Sequence, residues 1–446
     1  MEQTLSMDEE STGSLAYPWY IVSLCMLAYI FSFIDRQVIT LLIEPIRADL
    51  QISDTQFSLL HGLAFAILYA IAGIPIARMA DSRSRPVIIS VGIFVWSLAT
   101  ATCGMAKNFT QLFLARMAVG VGEAALSPAA YSMITDSFPK SKLGLALGVY
   151  SSGSFLGGGL AFIIGGTAIS LVEQWGSQTF PIIGVVKPWQ MTFFMVGLPG
   201  ILVALLFFFT VRDPQRKGVD AGASQGYRFK DVLAYIGGHR RTFASHYIGF
   251  GLLSLSLFAL MNWAPAYFLR KYALSMREVG LYLGMVVLIG NSLGVLASGW
   301  LTDYFSRRGY LDAPLRAGMI GGLGVVIPAA LFSQVSGFGG SLAVLAVALF
   351  FASFPLATSA AALQLMAPNR MRAQATALFF LFMNLFGITG GSTLVALCTD
   401  YLFKNEALVG YSMSLISVLG AISGALLLGW GLKAFSGTHG ELVDRN

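Results

Sequence analysis

The sequence predicts an all-α membrane protein of twelve transmembrane helices, arranged as two six-helix bundles related by a pseudo-twofold. Three observations predict it. Of 446 residues, 56% are hydrophobic and 11% charged. Soluble domains carry roughly 25% charged residues, and a soluble core cannot absorb this much apolar surface. Twelve apolar runs are each long enough to cross a bilayer. A short charged signature also occurs once in each half of the chain, as expected of an internal duplication.

Residues 1–17 hold Glu2, Asp8, Glu9 and Glu10 and no Lys or Arg. They lack the basic region of a signal peptide and are expected to form a short disordered cytoplasmic tail. The first bundle is expected over 18–211, with spans near 20–43, 57–79, 87–106, 110–134, 143–169 and 189–211. A linker over 212–243 follows. The second bundle is expected over 244–434, with spans near 244–268, 278–302, 315–334, 340–366, 374–398 and 409–433, and a cytoplasmic tail over 435–446 closes the chain. Lys and Arg concentrate in the loops after even-numbered spans, above all in the linker with its flanks: Arg212, Arg216, Lys217, Arg228, Lys230, Arg240 and Arg241. The positive-inside bias then places both termini in the cytoplasm. It also accounts for the net charge of +6 without nucleic-acid binding. Within the linker, Phe229 to Ile236 reads equally well as a short amphipathic surface helix or as plain linker.

Composition excludes several functions. Cys25, Cys103 and Cys398 lie in apolar runs with no metal-ligand or disulfide spacing. His61, His239, His246 and His439 are scattered. No metal site is expected, and no nucleophile–base set supports a membrane-embedded lipid enzyme, which stays a remote alternative. The glycines from Gly148 to Gly166 lack the Gly-Lys-Ser/Thr of a phosphate loop and fit close helix packing.

The costly residues carry the functional signal. Asp35 and Arg36 stand inside the first span, where each charge costs at least ~2.5–3.5 kcal/mol on insertion scales. Ser32, Arg36 and Thr40 are spaced by four, with Asp35 one step off. On the fourth span Arg116, Gly120, Glu123 and Ser127 share one helical face. Two acids and two bases can neutralise one another. They form either a static ion-pair network that fixes helix packing or a site where a carboxylate loads and unloads a proton, its affinity set by burial and by a nearby Arg. The second half has no deep acid. Its polar candidates are Asn262, Asn291, Gln364, Thr376 and Asn384, and an isolated Asn in a span also fits a plain interhelical hydrogen bond. Trp263, Pro265 and Tyr267 read as an interfacial belt with a kink, or as a gate.

After the second span comes Ala77-x-x-x-Asp81-x-x-x-Arg85, and after the eighth Gly299-x-x-x-Asp303-x-x-x-Arg307-Arg308. The second copy resembles the Gly-x-x-x-Asp-Arg-x-Gly-Arg-Arg loop of the major facilitator superfamily. The first departs from it at Ala77, Ser82 and Ser84. The resemblance implies the major facilitator fold, alternating access, and a cytoplasmic gate formed by Asp81, Arg85, Asp303, Arg307 and Arg308. Arg116-x-x-x-Gly-x-Gly-Glu-Ala, Asp35-Arg36, and Ile52-Ser53-Asp54-Thr55-Gln56 together resemble the spinster family of this superfamily. That resemblance implies a proton-coupled transporter of amphipathic lipids of the lysophospholipid or sphingoid-phosphate type. Asp35, Glu123 and Arg36 would be its coupling residues. Arg36, Arg116, Ser32, Thr40, Ser127, Asn262, Asn291 and Asn384 are the candidates for lining the cavity. The alternatives are a carrier of organic anions such as sugar acids, or a drug exporter. No cofactor is expected beyond the proton as coupling ion. The protein is expected to work as a monomer in the inner (plasma) membrane.

Overall fold

A computed structural model describes residues 15–181, 183–216, 229–272, 274–368 and 371–443. Among them, twelve helices are long and apolar enough to cross a membrane. In the first half these are Ala16–Leu41, Asp54–Ala80, Arg85–Cys103, Phe109–Ser137, Lys142–Trp175 and Pro188–Thr210. In the second they are Arg240–Lys271, Met276–Arg307, Ala313–Leu331, Phe338–Met366, Gln374–Phe403 and Glu406–Val443. They are called spans one to twelve below. Leu202, Phe209, Leu296 and Leu426 lie on the exposed outer surface, which suits a hydrocarbon surround.

Within the first half, span one packs on span five, and span three on spans four and six. Within the second, span seven packs on spans eleven and twelve, and span nine on spans ten and twelve. The halves meet where span five lies on span eight, where span two meets span eleven, and where span one touches span seven. The even count brings the start of span one and the end of span twelve to one end of the molecule. There the Tyr17 hydroxyl donates to the Thr210 carbonyl at 3.2 Å, and the His439 ring contacts the Leu311 carbonyl at 2.9 Å. The opposite end, called the far end here, carries a two-stranded hairpin, Gln178–Phe180 paired with Gly184–Val186.

The glycine-rich fifth span behaves as its composition suggests. Gly153 and Gly157 lie on Met26, Ile30 and Phe33 of span one. Gly159 and Gly166 lie on span eight, where a Cβ at Gly159 would come 2.9 Å from the Leu288 Cα and one at Gly166 2.8 Å from the Met276 carbonyl oxygen. Small residues let two backbones approach in this way. The linker does form a helix, Phe229–Gly238, whose Val232 is buried and whose Tyr235 hydroxyl donates to the Met366 carbonyl at 3.2 Å. The remainder of the expected linker, at 217–228, and of the expected tails, at 1–14 and 444–446, lies outside the described residues.

Candidate functional site

Two close approaches bring span four to the centre of the first half. A Cβ at Gly120 would strike the Phe65 carbonyl of span two, and one at Gly122 would lie 2.6 Å from the Trp96 nitrogen and 2.8 Å from the Gly92 oxygen of span three. Only glycine allows both contacts. Span four then breaks: its first helix ends at Glu123 and the second starts at Leu126. Pro128 has no N–H to return to the Ala124 carbonyl, so the ladder cannot run through unbroken. Glu123 thus stands at the break, midway along the span and only 2% exposed.

Glu123 meets span one. Its Oε2 accepts from the Ser32 hydroxyl at 2.6 Å and from Arg36 Nε at 2.5 Å, with Arg36 Nη2 also at 2.5 Å. The Arg36 guanidinium lies 4.3 Å from the Phe65 ring centre and 5.3 Å from those of Phe33 and Tyr69. Aromatic faces attract a cation held there. The Arg36 side chain keeps 18% of its surface exposed while that of Glu123 has none. Asp35, one helical step away, faces spans three and four. Its Oδ2 accepts from the Thr100 hydroxyl at 3.2 Å.

Arg116 lies beside Asp35: its Nη1 donates to the backbone carbonyl of Asp35 at 3.1 Å, and the side chain is fully buried. Asp35 Oδ1, Glu123 Oε1, and Arg116 Nε and Nη2 are buried without a hydrogen-bond partner among the described residues. The cluster is therefore buried, and several of its polar atoms are left unpartnered among the described residues.

The other cavity candidates divide. Thr40 and Asn262 come together across the seam between the halves, closely packed with Phe57, Ser58, His61, Trp263 and Ser392. Asn262 Nδ2 donates to the Ser392 hydroxyl at 2.8 Å. Asn291 is buried on span eight in a stretch of wider π-helical turns, Val286–Asn291. Ser127 is half-buried, accepting from the Tyr150 hydroxyl at 3.4 Å. Asn384 donates to its own helix at the Phe380 carbonyl, 2.9 Å away. Trp263 and Tyr267 are each 2% exposed and form no interfacial belt. The Trp263 indole donates to the Ser392 carbonyl at 2.9 Å and its ring centre lies 6.4 Å from that of Phe57, so it closes the seam.

A constellation that sequence reasoning passed over clasps the far end. Arg270 of span seven forks onto Asp54, with Nη1 and Nη2 each 2.7 Å from a carboxylate oxygen, and its Nε donates to Glu44 at 2.7 Å. Arg47 lies 3.0 Å from Asp54 and reaches across to Glu406 at 2.9 Å. Asp400 accepts from the Thr55 amide at 2.8 Å and hydroxyl at 2.7 Å. Part of this was visible in Ser53-Asp54-Thr55-Gln56. Ser53 and Gln56 form a reciprocal capping box of the kind that spacing marks, and Asp54 and Thr55 are the residues it holds out to the other half.

At the termini end, Arg85 does not bridge the halves. It is fully buried and donates to Asp213 at 2.8 Å, Ser132 at 2.9 Å, the Pro214 carbonyl at 2.7 Å, and Asp136. It ties spans three, four and six together within the first half because its fork points back over its own helix N-terminus. Asp303, Arg307 and Arg308 are exposed. The Arg308 guanidinium rests 4.4 Å from the Tyr304 ring centre. Among the described residues no ion pair links the halves at this end. The Asp81 side chain lies outside the described residues.

Two docked six-helix bundles, clasped at one end around a buried charged cluster, define a multi-pass membrane carrier. The chain matches the Major Facilitator Superfamily over residues 25–391 and belongs to it. It is accordingly a transporter and not an enzyme. It is 28% identical over 387 residues to an MFS-type efflux pump of Mycolicibacterium smegmatis, covering 83% of this chain and 82% of that one. It is 25% identical over 439 residues to the hexuronate transporter of Bacillus subtilis, covering 93% and 92%. Among solved structures it is similar to a bacterial homologue of the lysosomal transporter spinster in an inward-facing, unoccupied conformation. The TM-score there is 0.76 and the identity 25%, with 96% of this chain and 98% of that one covered. It is a multi-pass inner-membrane protein.

Proposed function

We propose that this transporter is a secondary active carrier that works by alternating access and couples an anionic substrate to protons through Arg36, Glu123 and Asp35. The observation that carries the reading is the Arg36–Glu123 pair. Arg36 is partly exposed, ringed by Phe33, Phe65 and Tyr69, and ion-paired with Glu123. A substrate anion competes with Glu123 for the guanidinium. A displaced Glu123, buried and with one oxygen already unpartnered among the described residues, then takes a proton, because an unpaired buried carboxylate is costly. Asp35, with its own bare oxygen, is the second proton acceptor. Thr40, Asn262 and Asn291 supply neutral contacts along the path. Asp303, Arg307 and Arg308, unpaired across the halves here, pair at the termini end once the far end opens. The charge bias puts that end in the cytoplasm, which makes the described state inward-facing.

The aromatic surround of Arg36 favours an amphipathic anion, a phosphate or carboxylate head with an apolar body, of the lysophospholipid or sphingoid-phosphate type. The sugar-acid transporters among the relatives, such as the hexuronate transporter, support a second reading in which the anion is a sugar acid. The test uses purified protein in proteoliposomes with an imposed pH gradient. Uptake of lysophospholipid, sphingoid phosphate and hexuronate is measured for the wild type and Glu123→Gln. The expected outcome is gradient-driven accumulation of one class, lost in Glu123→Gln while substrate exchange at equal pH persists. Accumulation unchanged in Glu123→Gln refutes the coupling role.

A further inference from the structure

The termini end of the second half holds a groove of about 600 Å³ whose lining includes Arg241, Asp312, Arg316, Trp430, Lys433 and Ser436. Arg241 opens span seven. Its Nε and Nη2 donate to the Trp430 carbonyl at 3.1 and 2.8 Å, and its guanidinium stands 4.8 Å from the Trp430 ring centre. Arg316 is matched by Asp312 through contacts of 2.6 and 3.1 Å. Lys433 is exposed and has no partner among the described residues. Three cations against one carboxylate leave the groove lining two charges positive among the described residues.

The groove also continues into an apolar ridge. On span twelve Leu419, Ile422 and Leu426 are exposed, and Trp430 and Lys433 follow at the same helical spacing. Trp430 is 48% exposed and stands where the apolar ridge gives way to the cations, the level an interfacial indole takes in a bilayer. An occupant that satisfies both parts has an anionic head and a hydrocarbon chain. We propose that this groove binds an anionic phospholipid, its phosphate held between Arg241 and Lys433 and an acyl chain lying along Leu426 and Ile422. Basic pockets between spans on the cytoplasmic side take such headgroups. None of these residues belongs to the Arg36–Glu123 cluster, so the site is separate from the transport path. By joining the start of span seven to the end of span twelve, the bound lipid braces the second bundle where the linker enters it.

The test is native mass spectrometry of the full-length protein in mild detergent with added phosphatidylglycerol, phosphatidylcholine or inorganic phosphate. Phosphatidylglycerol is expected to bind in preference to phosphatidylcholine. Lys433→Glu, a change at an exposed and unpartnered side chain, is expected to weaken phosphatidylglycerol binding by at least about fivefold, since one basic residue near an anionic surface contributes roughly that factor. Arg241→Lys, which loses the fork, is expected to weaken it further. Equal binding of the two lipids overturns the proposal, as does equal phosphatidylglycerol binding by wild type and Lys433→Glu. Displacement of the lipid by equimolar inorganic phosphate overturns it too, because the ridge would then contribute nothing.

Discussion

Removing the fork of Arg270 should open the far end. The side chains of Arg270 and Asp54 are 8% and 0% exposed, and two 2.7 Å contacts join them, with a third to Glu44. Truncating one member of a buried, hydrogen-bonded charge pair costs 2–5 kcal/mol, largely because the other charge is stranded. Arg47, 3.0 Å from Asp54, answers part of the stranded charge, so the expected loss for Arg270→Ala is about 2–3 kcal/mol, or roughly 30- to 160-fold in the closed-to-open ratio. A closed state favoured about 100 to 1 becomes nearly even. Spin labels at Ser177 in the first half and Ala407 in the second, both exposed, report the separation by pulsed dipolar spectroscopy. The wild type should give one short population and Arg270→Ala a second, longer one. Arg270→Lys should fall between, since an ammonium cannot reproduce a two-pronged contact. An unchanged distribution in Arg270→Ala refutes the view that this clasp holds the far end shut.

Further outcomes follow from the same geometry. Gly122→Ala places a Cβ 2.6 Å from the Trp96 nitrogen; overpacking of this kind costs about 1–3 kcal/mol. It should lower the melting midpoint in detergent and slow coupled uptake by shifting Glu123. Arg85→Ala should destabilise the protein by about 2–4 kcal/mol, less than a fully buried pair because Asp213 is 28% exposed. The same labels should show no change in separation; a shift would restore Arg85 to the gate. Substitution of Lys433 should leave uptake unchanged at saturating lipid.

The twelve spans were readable because each is a long run with charged, Pro or Gly-rich breaks, and a bilayer leaves few alternatives to a helix. The Arg36–Glu123 contact was half readable. Periodicity put Arg36 and Ser32 on one face of span one and Glu123 on a stripe of span four, and helix packing made them meet. Periodicity could not say that Arg116 would turn to a backbone carbonyl, since that depends on how far span four sinks against span three at Gly122. Nor could it tell a face turned to lipid from one turned to the other bundle, which is why Trp263 and Tyr267 read as an interfacial belt. The clasp was the least legible part. Arg270 and Asp54 are 216 residues apart in sequence and Arg47 and Glu406 are 359 apart. Their meeting follows from the docking of two complete bundles, and each residue taken alone is an ordinary loop charge.

The glycine contact between spans five and eight has a mechanical consequence. At the clasp the halves are joined by a fork and a hydroxyl. At Gly159 and Gly166 span five meets span eight largely at main-chain atoms, with few side chains to disengage. Such a contact has no latch. Under the proposed alternating access it would serve as an axle, a line about which one bundle rolls on the other as the clasp opens and closes, and a methyl group added there would act as a wedge in the bearing.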